Sequence, residues 1–336
     1  MIIKKMSKIF KIIVFTIFIL YFPNQVYADS HDFNLWLEDF KKKAIQNGIS
    51  KTTVNDVLNN AVFLENVIVY DNRQPEFFEK TNIYISKRSN SRALKNAKRK
   101  LKDHYKILDK VEKEFNVEKE IILALWSIET NFGNNFGKMD IISSLATLSF
   151  DKRRSAFFTK ELLILLSLID KKIVAKEMLF GSWAGAVGNF QFMPSTILNY
   201  GIDYDKDDKI ELKKSLPDAI ASAANYIQSI GWTYKSTCFE RVDFTKTVDK
   251  KLFNHSARNI KNRHNSKFWS KNGLINYKTK KRIDTKNPTA LVLPDGDVSS
   301  PKYLVTKNYE KILNWNRSLR FALTVCTLAN TIKNEL

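Results

Sequence analysis

Ile121 to Ile128 reads IILALWSI, a helical run that is apolar on nearly every side. A helix of that kind cannot lie on a surface and has to be enclosed. The rest of the chain must therefore supply enough packed elements to surround it. Glu129 follows at once, and Asn131, Gly133, Asn134, Asn135 and Gly137 then provide turn residues that end the helix near Gly133. A carboxyl in the last turn of a buried helix is costly to ionise twice over, through low dielectric and through the negative end of the helix dipole. A carboxyl that keeps its proton near neutral pH is what a general acid needs. Taken alone, the helix leaves two readings equally open: a catalytic acid, or a structural glutamate that faces solvent or pairs with a lysine.

The chain has 336 residues, 44% of them hydrophobic, enough for a sizeable core and for two or three lobes. Phe33, Trp36, Leu37 and Phe40 recur on one face of an amphipathic helix. Ser89 to Glu114 is helical in period and strongly basic, which fits a solvated helix face. From about Val117 to Trp232, short helices alternate with glycine-bearing turns. Beyond Trp232 the texture changes: FERVDF at 239–244 alternates like a strand, and Ala290 to Leu293 is a short β-like run before the turn Pro294-Asp295-Gly296-Asp297. Helical periodicity returns from Asn308 to Lys333.

Residues 181–195 read GSWAGAVGNFQFMPS. Gly181, Gly185 and Gly188, with Ala184 and Ala186, either bring backbone close to a ligand or serve tight packing. Pro194 suits the first turn of the following helix, and Gln191 just before it can donate and accept hydrogen bonds.

These stretches together resemble the lytic murein transglycosylases of the membrane-bound transglycosylase B type. The similar pieces are Trp126-Ser127-Ile128-Glu129-Thr130-Asn131-Phe132-Gly133, Ser144 to Phe150 (SLATLSF), the 181–195 loop, Ala224-Asn225-Tyr226-Ile227 leading to Gly231-Trp232, and Trp315-Asn316-Arg317-Ser318. Asp71 to Phe77 (DNRQPEF) is similar as well. The resemblance covers most of the chain in consistent order. It implies a mainly α (α+β) fold: a lysozyme-like helical core at 118–235, a helical N-terminal lobe at 29–117, and a small β-containing lobe with a C-terminal helix at 236–336. It also implies cleavage of the β-1,4 bond between N-acetylmuramic acid and N-acetylglucosamine without water, giving a 1,6-anhydro product. Glu129 would be the single acid and then base. By the same resemblance Ser182 and Asn316 orient sugar and acid, Gln191 lines the cleft, and Tyr226 forms part of its wall, although Tyr226 reads equally well as a core aromatic.

Two-carboxylate glycosidases need a second acid to activate water or to form a covalent intermediate. An intramolecular hydroxyl nucleophile removes that need through proximity. A hydrolytic muramidase on the same core would use a second acid near Glu129, for which Asp140 and Asp151 are the nearest candidates in sequence. A wall-binding protein without catalysis is the third reading.

Asp203, Asp205 and Asp207 stand at positions one, three and five of an acidic loop, with the carbonyl of Lys209 at position seven. This is how a calcium loop of the EF-hand kind opens. The resembled family has a calcium site here, which makes Asp218 the closing ligand. Position six is Asp208 instead of glycine, and Ser215-Leu216-Pro217-Asp218 also reads as a capping box. Structural Ca²⁺ is thus expected at the weak extracellular end of the range, roughly 10⁻⁴–10⁻³ M; no cofactor is needed for the chemistry.

Lys4, Lys5, Lys8 and Lys11 precede the apolar run Ile12 to Phe22, and Val26-Tyr27-Ala28 has the small-residue pattern of a cleavage site. Residues 1–28 therefore read as a signal peptide, with an uncleaved membrane anchor as the alternative that the short apolar core disfavours, and the mature chain is expected to start at Asp29 in the periplasm. No cysteine lies near the signal to carry a lipid. The charge of +20 falls by four on cleavage and favours anionic wall polymers, with no role for nucleic acid in an exported protein. The expected partner is the peptidoglycan glycan strand, met by a monomer; recruitment to a cell-wall synthesis complex is left open. His31, His104, His255 and His264 show no ligand spacing. Cys238 and Cys326 are expected as two buried thiols, with pairing as the alternative.

Overall fold

The computed structural model describes residues 30–72, 78–175 and 179–335. The signal-peptide reading and most of the DNRQPEF stretch lie outside the described residues. Among the described residues fourteen α-helices dominate: α1 (Ser30–Gln46), α2 (Lys51–Leu58), α3 (Glu65–Asn72), α4 (Thr81–Arg88), α5 (Ser91–Asp103), α6 (Tyr105–Phe115), α7 (Lys119–Thr130), α8 (Ile141–Phe150), α9 (Ser155–Asp170), α10 (Pro194–Tyr200), α11 (Leu216–Ser229), α12 (Ser266–Lys271), α13 (Lys307–Trp315) and α14 (Leu319–Asn334). No helix among the described residues is long and apolar enough to cross a membrane.

The helix with the apolar surround, α7, is the centre of the molecule. Every residue from Glu120 to Ser127 is buried. It packs against α5 and α6 before it in the chain and against α11 and α14 after it. The face read from Phe33, Trp36, Leu37 and Phe40 appears in α1, with Phe33, Leu37 and Phe40 buried and Trp36 stacked beside them. Helix α8 is buried from Ile141 to Ser149 and docks the N-terminal helices through its hydroxyls: Ser143 Oγ accepts from the Val62 N–H at 3.0 Å, and Thr147 Oγ1 from the Leu64 N–H at 3.0 Å. The single basic helix expected over 89–114 is two, α5 and α6, broken at His104, where the backbone leaves the helical region.

Seven short strands are present. β1 (Met139–Asp140) pairs with β2 (Phe180–Gly181). The other strands, β3 (Phe239–Phe244), β4 (Phe253–Asn254), β5 (Leu274–Asn276), β6 (Ala290–Val292) and β7 (Lys302–Val305), form one sheet in the order β4-β6-β7-β3-β5. Only the β4–β6 pair is parallel. The strands expected at 239–244 and near 290–293 are both there. This sheet has a small core of its own, built on Val242, Trp269, Leu274, Leu291 and Leu304. The large core runs without interruption through α1 to α11 and takes in α13 and α14.

Two ties hold the parts together. Asp295, in the turn after β6, accepts from the Thr81 N–H and hydroxyl at 3.1 and 2.6 Å and from Arg320 at 2.8 Å, joining α4, the sheet and α14. The second tie corrects the sequence reading: Cys238 and Cys326 are not separate thiols but a disulfide, with Cα atoms 6.1 Å apart. Folding brings the residue before β3 against α14, a proximity that a separation of 88 residues could not reveal. Replacing both cysteines with serine should lower unfolding stability in urea by about 2–4 kcal/mol. An unchanged urea midpoint for the double variant would show that the bond does not constrain the unfolded chain.

Candidate active site

Glu129 is the penultimate residue of α7 and is half-buried. The helix stops one residue later because Asn131 takes left-handed backbone (φ 49°), and Phe132 (φ 59°) and Gly133 (φ 79°) continue in that region. Asparagine and glycine tolerate this conformation, whereas for a bulky residue such as Phe132 it is strained. The strain is held in place by Asn189. Its Oδ1 accepts the Trp126 indole N–H at 2.8 Å, its carbonyl accepts the Thr130 hydroxyl at 2.8 Å, and its Nδ2 donates to the carbonyls of Leu212 and Lys213 at 3.0 and 3.3 Å. Thr130 Oγ1 in turn accepts the Gly133 N–H at 3.0 Å. Asn189 is 5% exposed, so each of these bonds forms away from water, where an unmade bond is expensive.

The carboxylate itself is oriented from the far end of the chain. Trp315, the last residue of α13, donates its indole N–H to Glu129 Oε1 at 2.8 Å. Behind Trp315 lies an aromatic stack: Tyr226 is 5.1 Å from Trp315, ring centre to ring centre, and Tyr200 is 4.4 Å from Tyr226. Phe190 and Phe192 meet Trp315 edge-on at 6.4 and 5.3 Å. The Tyr226 hydroxyl donates to the Asn314 carbonyl at 2.9 Å. Burial raises the Tyr226 phenol to about 12, so it stays neutral across the working range. The result is one carboxylate edged by a flat, uncharged aromatic wall.

The other residues singled out from sequence fall into two groups. Tyr226 belongs to the wall, and Asn316 follows Trp315 directly, with its carbonyl accepting the Ser318 N–H at 2.8 Å. Gln191 sits in left-handed backbone (φ 52°) with Nε2 donating to the carbonyls of Gly188 and Phe136 at 3.1 and 3.4 Å. Ser182 closes its own turn, its Oγ accepting the N–H groups of Ala184 and Ala186 at 3.2 and 2.9 Å. The loop glycines press on protein: a Cβ on Gly188 would stand 2.6 Å from the Leu212 carbonyl oxygen. Packing, the second of the two readings, explains them. Three residues had no role assigned from sequence, Trp315, Asn189 and Tyr200, although the first two lie in stretches that carry the resemblance. For Asn189 the sequence signal was an amide in the run VGNFQF, where Gln191 drew the attention instead.

Asp140 and Asp151, the candidates for a second catalytic acid, are occupied locally. Asp140 caps α8 by accepting the Ser143 N–H at 2.6 Å, and Asp151 accepts the Arg153 N–H at 3.3 Å.

The acidic loop lies between α10 and α11. Carboxylate oxygens of Asp203, Asp205 and Asp218 come within 4.8 Å of one another. Asp207 is not part of that trio: its Oδ1 accepts the Lys209 N–H at 3.0 Å. Asp208, at the position where glycine was missing, adopts φ 68° and makes the turn all the same. Asp218 is fully buried and accepts the N–H groups of Tyr204 (2.8 Å), Asp205 (3.3 Å) and Glu211 (3.0 Å). Ser215 does cap α11, but the Asp218 carboxylate turns toward the loop instead of completing a capping box.

The family model described as the transglycosylase SLT domain matches residues 32–330. The chain belongs to that family. Membrane-bound lytic murein transglycosylase B of Escherichia coli is 39% identical over 126 residues, 37% of this chain. The match spans only 35%, about a third, of that relative's length. SltB3 of Pseudomonas aeruginosa superposes with a TM-score of 0.81 at 29% identity, covering 90% of this chain and 79% of SltB3, and has been solved with NAG-NAM-pentapeptide and with NAG-anhNAM-pentapeptide. The lytic transglycosylase Slt35 of Escherichia coli, solved with calcium, superposes with a TM-score of 0.74 at 25% identity over 89% of this chain and 93% of its own. The helical, lysozyme-like fold expected from sequence is thus the fold of this family.

Asn189→Ala would leave the Trp126 indole N–H and the Lys213 carbonyl without their partner. It should cost about 2–3 kcal/mol in chemical denaturation. A variant within 0.5 kcal/mol of wild type, roughly the spread of neutral surface changes, would show that the α7 terminus does not depend on this amide.

Proposed function

We propose that this protein is a lytic transglycosylase that cuts the β-1,4 bond between N-acetylmuramic acid and N-acetylglucosamine in peptidoglycan without adding water. The observation that carries the reading is the pairing of a single oriented carboxylate, Glu129, with the aromatic wall of Trp315 and Tyr226. Sugar rings stack on such faces, and a neutral wall leaves the charge chemistry to the acid. Glu129 gives its proton to the leaving glycosidic oxygen and then takes the proton of the muramyl 6-hydroxyl as that oxygen closes on C1. One carboxyl serves both steps because the nucleophile is part of the substrate. The local roles of Asp140 and Asp151 favour this over a hydrolytic muramidase. Asn316, beside Trp315, and Ser182 orient sugar and acid; Gln191 lines the cleft. The anhydro sugar in one SltB3 complex supports the product assignment.

The cluster of Asp203, Asp205 and Asp218 suits a hard cation, since each carboxylate keeps lone pairs beyond its N–H bonds. Asp207 and the Lys209 carbonyl complete the set proposed from spacing. Calcium there would add positive charge among close acids and brace the loop at the head of α11, the helix that carries Tyr226; it takes no part in the bond cleavage. The protein works on peptidoglycan glycan strands as a monomer in the periplasm, after export and cleavage behind Ala28, with a cell-wall synthesis complex as a further candidate partner.

Glu129→Gln keeps shape and hydrogen bonding but cannot exchange a proton. Its turnover of purified peptidoglycan should fall by at least roughly 10²–10⁴-fold. Wild-type muropeptides should be about 18 mass units lighter than hydrolysed ones, because hydrolysis alone adds water. A digest containing only reducing-end muramic acid would overturn the lytic reading, as would full activity of Glu129→Gln. Millimolar calcium should raise the melting temperature of wild type by mass action. Asp205→Asn should lose that increment, and a wild-type melting curve insensitive to calcium would argue against the site.

A further inference from the structure

A cavity of about 240 Å³ lies between α13 and the segment from Ala257 to Ile260. Its charged lining is Arg258, Lys307, Glu310, Lys311 and Arg317, four cations to one carboxylate. That carboxylate is already engaged: Arg263 pairs with Glu310, and Lys307 lies 3.9 Å from it. Arg258, Lys311 and Arg317 make no ion pair among the described residues. The crowding of like charges is felt within the site, where Arg263 first, then burial and Lys311, hold the Lys307 ammonium below the usual lysine range. Gly231, in the turn after α11, leaves room for the Lys311 ammonium; a Cβ there would stand 3.1 Å from Nζ. Converging, unneutralised cations in a concave site form an anion receptor.

The cavity is continuous with the cleft wall. Asn314 lines it, while the Asn314 carbonyl accepts the Tyr226 hydroxyl. Lys311 precedes Trp315 by one helical turn, about 6 Å along the axis. Three residues of extended peptide cover roughly 10 Å. A peptide hanging from a muramic acid held against Trp315 can therefore place a carboxylate among these cations. We propose that this cavity is an anion subsite that receives a carboxylate of the peptide stem of the bound glycan strand. The inference rests on the peptidoglycan reading given above. A free inorganic anion shares the chemistry but would have no tether to the cleft.

The test uses the full chain and two ligands, GlcNAc-MurNAc bearing a pentapeptide and the same disaccharide without it, measured by calorimetry at low salt. Wild type should bind the peptide-bearing ligand more tightly. The Arg258→Gln/Lys311→Gln double variant, in which both changes lie outside the aromatic wall, should lose roughly tenfold for that ligand. Its affinity for the bare disaccharide should be unchanged, as should its anhydro-product yield from peptide-free glycan. Amidating the terminal carboxyl of the peptide should weaken wild-type binding in the same direction. The proposal is overturned if the peptide adds no affinity, if the double variant keeps the full preference, or if both ligands weaken equally. It is also overturned if inorganic phosphate binds in a manner sensitive to Arg258 and Lys311 while the stem does not, since the cavity is then a general anion site. Because calorimetry reads binding, absence of anhydro products would count against the lytic reading without touching this result.

Discussion

The buried amide of Asn189 is the contact on which the site most depends. Helix α7 can be enclosed only if it ends inside the protein, and a helix end inside a protein has polar groups to satisfy. The turn meets that demand itself, the N–H groups of Asn131, Phe132 and Asn135 donating to the carbonyls of Ser127, Trp126 and Thr130, and Asn189 pins the turn through the Trp126 indole, the Thr130 hydroxyl and the 212–213 backbone. The sharp left-handed turn at Asn131 to Gly133 then leaves Glu129 at the rim of the core. The same amide that secures the helix end thus places the acid. Gly188 follows from this, because nothing larger fits between the Asn189 segment and Leu212.

The acid is specified by neutral neighbours on one side and by charge on the other. Trp315, Tyr226 and Tyr200 provide stacking surface and, from the Trp315 indole, an N–H donor to Glu129. Of the surplus cations, Lys311 lies one turn of α13 from Trp315, while Arg317 stands near enough to Tyr226 to oppose the rise of its phenol. Helix α13 therefore separates two kinds of recognition, a flat apolar one suited to sugar rings and a charged one suited to anions.

The positions that periodicity and turn chemistry could reveal were legible in the sequence. The closed surround of residues 121–128, the face of α1 and the strand at 239–244 depend on local patterns that survive into the fold. Glu129 was legible as a candidate because an acid at the end of such a helix conflicts with its surroundings; the helix alone left a structural reading equally open, and the resemblance supplied the catalytic one. Its partners were not. Trp315 is 186 residues away, and no local pattern encodes that contact. Asn189 looked like loop polarity because burial depends on neighbours that the sequence does not display. The disulfide was unreadable for the same reason. The acidic loop was half-legible: spacing found Asp203 and Asp205, whereas the inward turn of Asp218 and the outlying position of Asp207 depend on backbone bonds within the loop.

The long reach of the Glu129–Trp315 bond bears on when the molecule becomes competent. Ribosomes deliver Glu129 well before the residue that orients it, and Cys326 comes later still. A chain lacking α13 and α14 loses both the donor that orients Glu129 and the helix against which α7 packs, so enclosure of α7 and alignment of its acid are completed together. Alignment of the acid is therefore latent until α13 has folded against α7. The order of the elements thus couples the orientation of one carboxylate to assembly of the core as a whole instead of to the formation of α7 alone.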